Sequence, residues 1–174
     1  IEDDPSLYDL QLPSDERNGL TRFWTSRGVS LVVWQRDGRR SPVISVAHRG
    51  GRAEQKELLT LLAGVFASNP FAYNLELKND EERTPITYFL EKSHEGHCEY
   101  YASASVMLLR RAGIPARYVV GYAVEEEGDE EGEWILRGKH AHAWAQAYIG
   151  GKWKNEGNEE SPVWRCRGGE WVTV

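Results

Sequence analysis

The sequence predicts an α+β fold from three stretches. Between Cys98 and Ala112, apolar and small residues recur at helical spacing: Cys98, Ala102, Ser105, Val106 and Leu109 share one face, while Glu99, Arg110 and Arg111 point elsewhere. From Ala116 to Val124 the chain is rich in β-branched and aromatic residues and reads as a buried strand. From His140 to Ile149 it alternates with a period of two, placing His140, His142, Trp144, Gln146 and Tyr148 on one face and Ala141, Ala143, Ala145, Ala147 and Ile149 on the other.

The elements before this frame follow in order. Residues 1 to 20 mix Asp, Pro, Ser and Gly and read as an irregular lead-in, within which Ser14-Asp15-Glu16 is placed to cap a short helix entering Thr21-Arg22-Phe23-Trp24. Val29 to Gln35 and Pro42 to Ala47 are β-rich and separated by Asp37-Gly38, a strong hairpin signal. Gly50-Gly51 is a natural boundary. The spacing of Leu58, Leu61, Leu62, Val65 and Phe66 predicts a helix over Ala53 to Ala67, stopped by Asn69-Pro70. Phe71 to Leu75 reads as a short extended segment, and Thr84-Pro85 starts a helix through Tyr88, Phe89 and Leu90 that delivers the chain to a turn at Gly96. After the central helix, Gly113-Ile114-Pro115 forms the stop, with glycine suited to the C-terminal cap and proline unable to continue. No internal repeat is visible. We read residues 1–52 as an N-terminal lead-in with a hairpin and 53–174 as the core, expected to form one compact unit.

Composition narrows the function classes. A chain of 174 residues, 40% hydrophobic and with seven tryptophans, is long enough for one domain with a sizeable core. The net charge of −6 and the lack of a basic stripe speak against nucleic acid as a partner. No apolar run approaches the roughly 18 residues of a membrane span, and Ile1-Glu2-Asp3-Asp4 does not open a signal peptide, so no membrane contact is expected of this chain itself. Two cysteines make no disulfide framework, and Cys166 has no partner motif. The run Glu125 to Glu133 lacks the ligand spacing of a calcium loop and reads as a solvated hairpin loop; no metal or cofactor is called for.

The chemistry concentrates at Cys98. It stands in the first turn of the central helix, where unpaired backbone N–H groups and the positive end of the helix dipole favour a thiolate. The small residues Ala102, Ser103, Ala104 and Ser105 would let another element approach closely. A thiol nucleophile needs a base, and the His140–His142 strand offers two on one face. Residues two apart on a strand are displaced by roughly 6.5 Å, so only one can serve a given sulfur, and periodicity does not choose between them. His94 and His97 flank the turn and read as solvated loop histidines; Trp144 reads as core or groove wall.

Three motifs carry a family resemblance: Gly96-His97-Cys98-Glu99-Tyr100-Tyr101-Ala102-Ser103-Ala104; the run from Leu108 to Tyr122, containing Gly113-Ile114-Pro115-Ala116-Arg117; and His142-Ala143-Trp144. In this order they resemble the bacterial transglutaminase-like superfamily over about residues 53 to 164. The resemblance implies a papain-like α+β core with the nucleophile helix packed on an antiparallel sheet. It also implies a cysteine–histidine–aspartate triad, assigning Cys98 and His142 as catalytic and leaving His140, His97 and Trp144 near the site. Arg117 is expected to be structural. The sequence departs at the third member. The family's aspartate follows a tryptophan by four residues, and here Trp153 leads to Gly157, while a second register, from Trp171, runs past Val174. Asn158 or Glu156 is a candidate stand-in, since some thiol proteases orient their histidine with an amide.

The expected function is acyl transfer or hydrolysis through a thioester, acting on glutamine side chains or peptide amides of a protein or peptide substrate and attenuated by the missing aspartate. Family resemblance also suggests a periplasmic or other extracytoplasmic setting, as part of a membrane-anchored protein. Two alternatives come from other classes. A binding module that kept the fold and lost catalysis would show an ordinary thiol at Cys98. A zinc site built from His94, His97, Cys98, His140 and His142 would show stoichiometric metal.

Overall fold

A computed structural model of the chain describes residues 10–34, 43–48, 51–52, 54–76, 82–123, 126–128, 133–150, 152–154, 164–167 and 170–173. The first helix, α1 (Arg17–Thr25), buries Leu20, Phe23 and Trp24. Sequence reading placed Ser14-Asp15-Glu16 as its cap. Glu16 holds the cap position, but its side chain makes no capping bond there. Its carboxylate, 4% exposed, instead accepts hydrogen bonds from Ile86 N (3.3 Å), Thr87 N (3.1 Å) and Thr87 Oγ1 (2.7 Å). Those N–H groups open α3 (Pro85–Tyr88), whose first turn has no intrahelical partners for them. The close approach this needs is open only to glycine at position 19, where a Cβ would lie 2.1 Å from Thr87 Oγ1.

Strands β1 (Val29–Trp34) and β2 (Val43–His48) pair antiparallel from Val29 opposite His48 to Trp34 opposite Val43, as the hairpin signal predicts; the turn at Asp37-Gly38 lies outside the described residues. β3 (Gly51–Arg52) adds to β2. The helix expected over 53 to 67 is α2 (Gln55–Phe66), with Leu58, Leu59, Leu62, Ala63 and Phe66 buried. Each fully buried Leu or Phe contributes about 1.5–3 kcal/mol. β4 (Ala72–Tyr73) then pairs in parallel with β5 (Glu95–Gly96), after α3 has run on into a π-helical turn over Phe89–Ser93.

The central helix is α4 (Cys98–Arg111). Its C-terminus closes as the Gly113-Ile114-Pro115 signal requires. Gly113 adopts φ +79°, its N–H bonds to Arg110 O (3.0 Å), and Ile114 N bonds to Leu109 O (2.9 Å). This 6→1 and 5→2 pair satisfies carbonyls the helix end leaves open. The buried face is wider than the predicted stripe, adding Tyr101, Ala104 and Leu108 to Ala102, Ser105, Val106 and Leu109. Tyr101 stands edge-on to Phe66 (5.4 Å between centroids, 78°) and Phe89 (4.9 Å, 73°), which ties the first turn of α4 to α2 and the π-helical turn. Each such pair adds about 0.5–1.5 kcal/mol beyond area burial. Further along, Trp24 Nε1 donates to Leu108 O at 2.9 Å in the core.

β6 (Ala116–Tyr122) and β7 (Ala141–Ile149) pair antiparallel, and β8 (Lys152–Lys154) adds to β7, giving the order β6-β7-β8. The predicted alternation of β7 holds: Ala143, Ala145, Ala147 and Ile149 are buried and the residues between them half-buried. The small side chains on β7 meet α4, so helix and sheet pack through Ala and Ser. β9 (Trp164–Arg167) and β10 (Glu170–Thr173) form a separate antiparallel pair. The result is an α+β fold with the central helix packed on an antiparallel sheet, the arrangement that the motifs imply.

Candidate active site

Cys98 is the first residue of α4, and the chain reaches it along a fixed path. Ala72 N bonds to His94 O (2.9 Å) and Asn74 N to Gly96 O (2.9 Å), so the β4–β5 ladder holds the entry. Gly96 is buried, and a Cβ there would lie 2.8 Å from Tyr100 Cβ; this close approach is why a glycine precedes the helix. His97 departs from the solvated-loop reading. It is the N-cap of α4, and its Nδ1 accepts from Glu99 N at 3.4 Å. His94 is half-buried, has φ +52°, and presents its ring at 88° to that of Phe71, 4.9 Å away.

Cys98 itself is partly exposed. It lines a cavity of about 390 Å³ together with Glu99, Val120, Gly121, Tyr122, Ala141, His142 and Ala143. The nucleophile candidate from α4 and the histidine preceding Ala143-Trp144 therefore border one space. The ladder sets His142 opposite Gly121. Both lie on the face of the sheet that carries Trp144, while Ala141 and Ala143 lie on the face that α4 covers further along.

Gly121 has a reason to lack a side chain. A Cβ there would lie 2.7 Å from Trp144 Cη2 and 3.1 Å from Cζ3, so the indole occupies the space a side chain would take. The same indole lies nearly parallel to the His142 ring, at 20° and 6.5 Å between centroids. Trp144 is therefore a wall behind His142, seated on Gly121. Sequence reading missed this role of Gly121, although a lone glycine inside a strand pattern is a signal of close approach.

His140 takes a different place from the strand position predicted for it. It ends a 3₁₀ turn (Gly138–His140) before β7 begins, and its Nδ1 accepts from Arg137 N at 3.0 Å. Its Nε2 faces Glu126 Oε2 at 3.8 Å. The ring is thus engaged by the loop, outside the residues lining the cavity. Glu126 is the centre of that loop. Arg137 Nε donates to its Oε2 at 2.7 Å, and Lys139 Nζ stands 3.5 Å away. The Arg137 hydrogen bond holds the carboxyl at about 2, below its ordinary 4.5, against a smaller opposing effect of burial. The loop read as merely solvated thus carries a local clasp.

Tyr118 is a further neighbour. Its phenol is pushed up by burial first, then by the negative charge of Glu99 and of Cys98, which places it within the electrostatic reach of the start of α4. The candidate third members Glu156 and Asn158, and Gly157 between them, lie outside the described residues. The five His and Cys side chains of the zinc alternative do not converge: among the described residues no group of three or more His, Cys, Asp or Glu side chains is placed to hold a metal ion.

Residues 48–155 match the model of the transglutaminase-like superfamily, well over half of the chain. The chain belongs to the transglutaminase-like superfamily. Within it, a protein-glutamine gamma-glutamyltransferase of Pseudomonas aeruginosa is 34% identical over 98 residues, covering 56% of this chain and 14% of that protein. An uncharacterized protein of Bacillus subtilis, YebA, is 39% identical over 90 residues, covering 47% of this chain and 12% of that protein. The matched stretch is thus a small part of either relative. Among solved structures, the periplasmic domain of TgpA from Pseudomonas aeruginosa superposes with a TM-score of 0.58 at 24% identity, covering 95% of this chain and 46% of that one. A second structure of that domain gives 0.57 at 25% identity, covering 84% and 43%. Both support the transglutaminase-type fold. No helix among the described residues is long and apolar enough to cross a membrane.

Proposed function

We propose that this transglutaminase-like chain is a thiol acyltransferase or amide hydrolase that acts on glutamine side chains or peptide amides of protein substrates. The observation that carries the reading is the cavity bordered by Cys98, at the positive end of α4, and by His142. The Cys98 thiolate attacks the amide carbonyl carbon and forms a C–S bond. The oxyanion lies where the backbone N–H of Cys98 can donate to it. His142, as imidazolium, gives its proton to the leaving nitrogen as the C–N bond breaks, leaving a thioester and ammonia or an amine. An incoming amine or water then loses a proton to His142 and attacks the thioester; the C–S bond breaks and the thiolate returns. The sequence has glycine at 157, where the resemblance places an aspartate, so in this reading Glu156 or Asn158 takes over the orienting of the imidazole. The likeness to periplasmic domains supports an extracytoplasmic setting.

Incubation with a glutamine-containing peptide tests the reading. Ammonia release with a thioester adduct on the peptide carrying Cys98, both lost in Cys98→Ala, is the expected result. No adduct and no ammonia, in a protein that still binds the peptide, would instead support the binding-module reading that Gly157 favours.

A further inference from the structure

Exposed apolar side chains gather beside the candidate site. Of the large hydrophobic residues exposed among the described ones, Tyr118 (41%), Val120 (67%) and Tyr122 (55%) lie on β6, and Trp134 and Leu136 on the loop joining it to β7. The ladder pairs Tyr118, Val120 and Tyr122 with Ala145, Ala143 and Ala141, so all six share the face of the sheet that α4 meets. Helix α4 buries Ala143 and Ala145 but leaves their β6 neighbours open. Val120 and Tyr122 line the cavity that holds Cys98. β6 also ends the order β6-β7-β8, so among the described residues its outer edge has no strand beside it.

Resting on the acyl-transfer reading above, we propose that the acyl-donor polypeptide binds as an added strand along the outer edge of β6. Its alternate side chains then lie beside Tyr118, Val120 and Tyr122. A strand added there sets every second side chain about 4.5–5.5 Å from its cross-strand neighbour, on the same face. Cys98 lines the same cavity as Val120 and Tyr122, so in this arrangement the donor residue facing the cavity is the one offered to the thiol. Its neighbours two positions away fall on the tyrosine–valine stripe. The stripe is apolar and carries no charge of its own, so the preferred donor has an aromatic or branched aliphatic residue two positions from the reacting one. Glu99 of α4 lines the cavity, and its negative charge disfavours an acidic residue there.

The test uses peptides in which the reactive glutamine amide is replaced by a chloromethyl ketone, so that the Cys98 thiolate displaces chloride and forms a C–S bond. Each rate is divided by that of iodoacetamide, which has no neighbouring side chains, so the ratio reads binding rather than thiol reactivity. With the unaltered protein, phenylalanine two positions away should raise the ratio on the order of ten-fold over glycine, and glutamate should lower it. In Val120→Ser/Tyr122→Ser the phenylalanine preference should collapse to within about two-fold. Methylating the peptide nitrogen that faces β6 should remove the preference, and methylating its alternate should not. Equal ratios for phenylalanine and glycine, a preference that survives the double substitution, or indifference to both methylations would overturn the proposal. An ordinary iodoacetamide profile for Cys98 would count against acyl transfer alone, because the peptide ratios still judge the strand.

Discussion

Gly121→Ala is the substitution whose consequence follows most directly from the site geometry. Gly121 is not among the glycines with positive φ, so alanine is acceptable to the backbone and the effect is steric. The added methyl would lie 2.7 Å from Trp144 Cη2, whereas carbon atoms settle at about 3.5–4.0 Å, so the indole must move by about 1 Å. Overpacking of this kind costs about 1–3 kcal/mol. The displaced indole lies against the His142 ring, and a misplacement of about 1 Å at a catalytic group costs on the order of 100-fold in rate. Urea unfolding reads the first effect and the rate of ammonia release from a glutamine peptide the second. Trp144→Phe, which removes the atoms the methyl would strike, should relieve most of the added cost, giving a coupling of about 0.5–3 kcal/mol in the double-mutant cycle. A Gly121→Ala protein with unchanged stability and rate would refute the seating of Trp144 on Gly121, and additive single effects would refute the coupling.

Other consequences lie further from the site. Glu16→Ala removes three hydrogen bonds to the buried start of α3 and leaves two backbone donors without that carboxylate, a loss of about 2–3 kcal/mol in urea unfolding; a change under about 0.5 kcal/mol would show that water replaces it. Trp24→Phe leaves Leu108 O without its indole donor and should cost about 1–2 kcal/mol by the same measurement, with a neutral result showing that the bond adds nothing net. The Glu126 clasp sets a pH window. Because its carboxyl is held at about 2, below the ordinary 4.5, its contribution is complete above about pH 4.5 and is lost as pH falls toward 2. Protection of the Ile135 amide, which bonds to Glu126 O, should fall across that window once the intrinsic pH dependence of exchange is divided out, and should change less in Glu126→Gln; equal profiles would remove the clasp from the account.

The central helix, its stop and the β7 alternation were legible because each rests on local rules: periodicity, a glycine–proline stop and side-chain alternation. The hairpin of β1 and β2 followed for the same reason. What escaped depends on contacts between distant segments. Glu16 sits before α1 as a capping residue would, but it serves a helix seventy residues away, which no local pattern marks. His140 shares a period with His142, yet the loop that holds Glu126 and Arg137 draws it into a 3₁₀ turn. His97 reads as a loop residue until the helix start fixes it as the cap. The choice between His140 and His142, open to periodicity, came from the family motif. The cavity lined by Cys98 and His142 but not by His140 accords with that choice without assigning either a role. At the third position the sequence offers Gly157 between Glu156 and Asn158, and residues 155–163 are not among those described.

The pH dependence of Cys98 alkylation by iodoacetamide, measured in the Cys166→Ser protein with and without His142→Ala, tests the central claim most directly. An ordinary thiol loses reactivity steeply below about pH 8.5. The account predicts a rate that persists well below that pH and loses that persistence when His142 is replaced, but keeps it in His140→Ala. An ordinary thiol profile, indifferent to His142, would contradict a working thiolate–imidazolium pair.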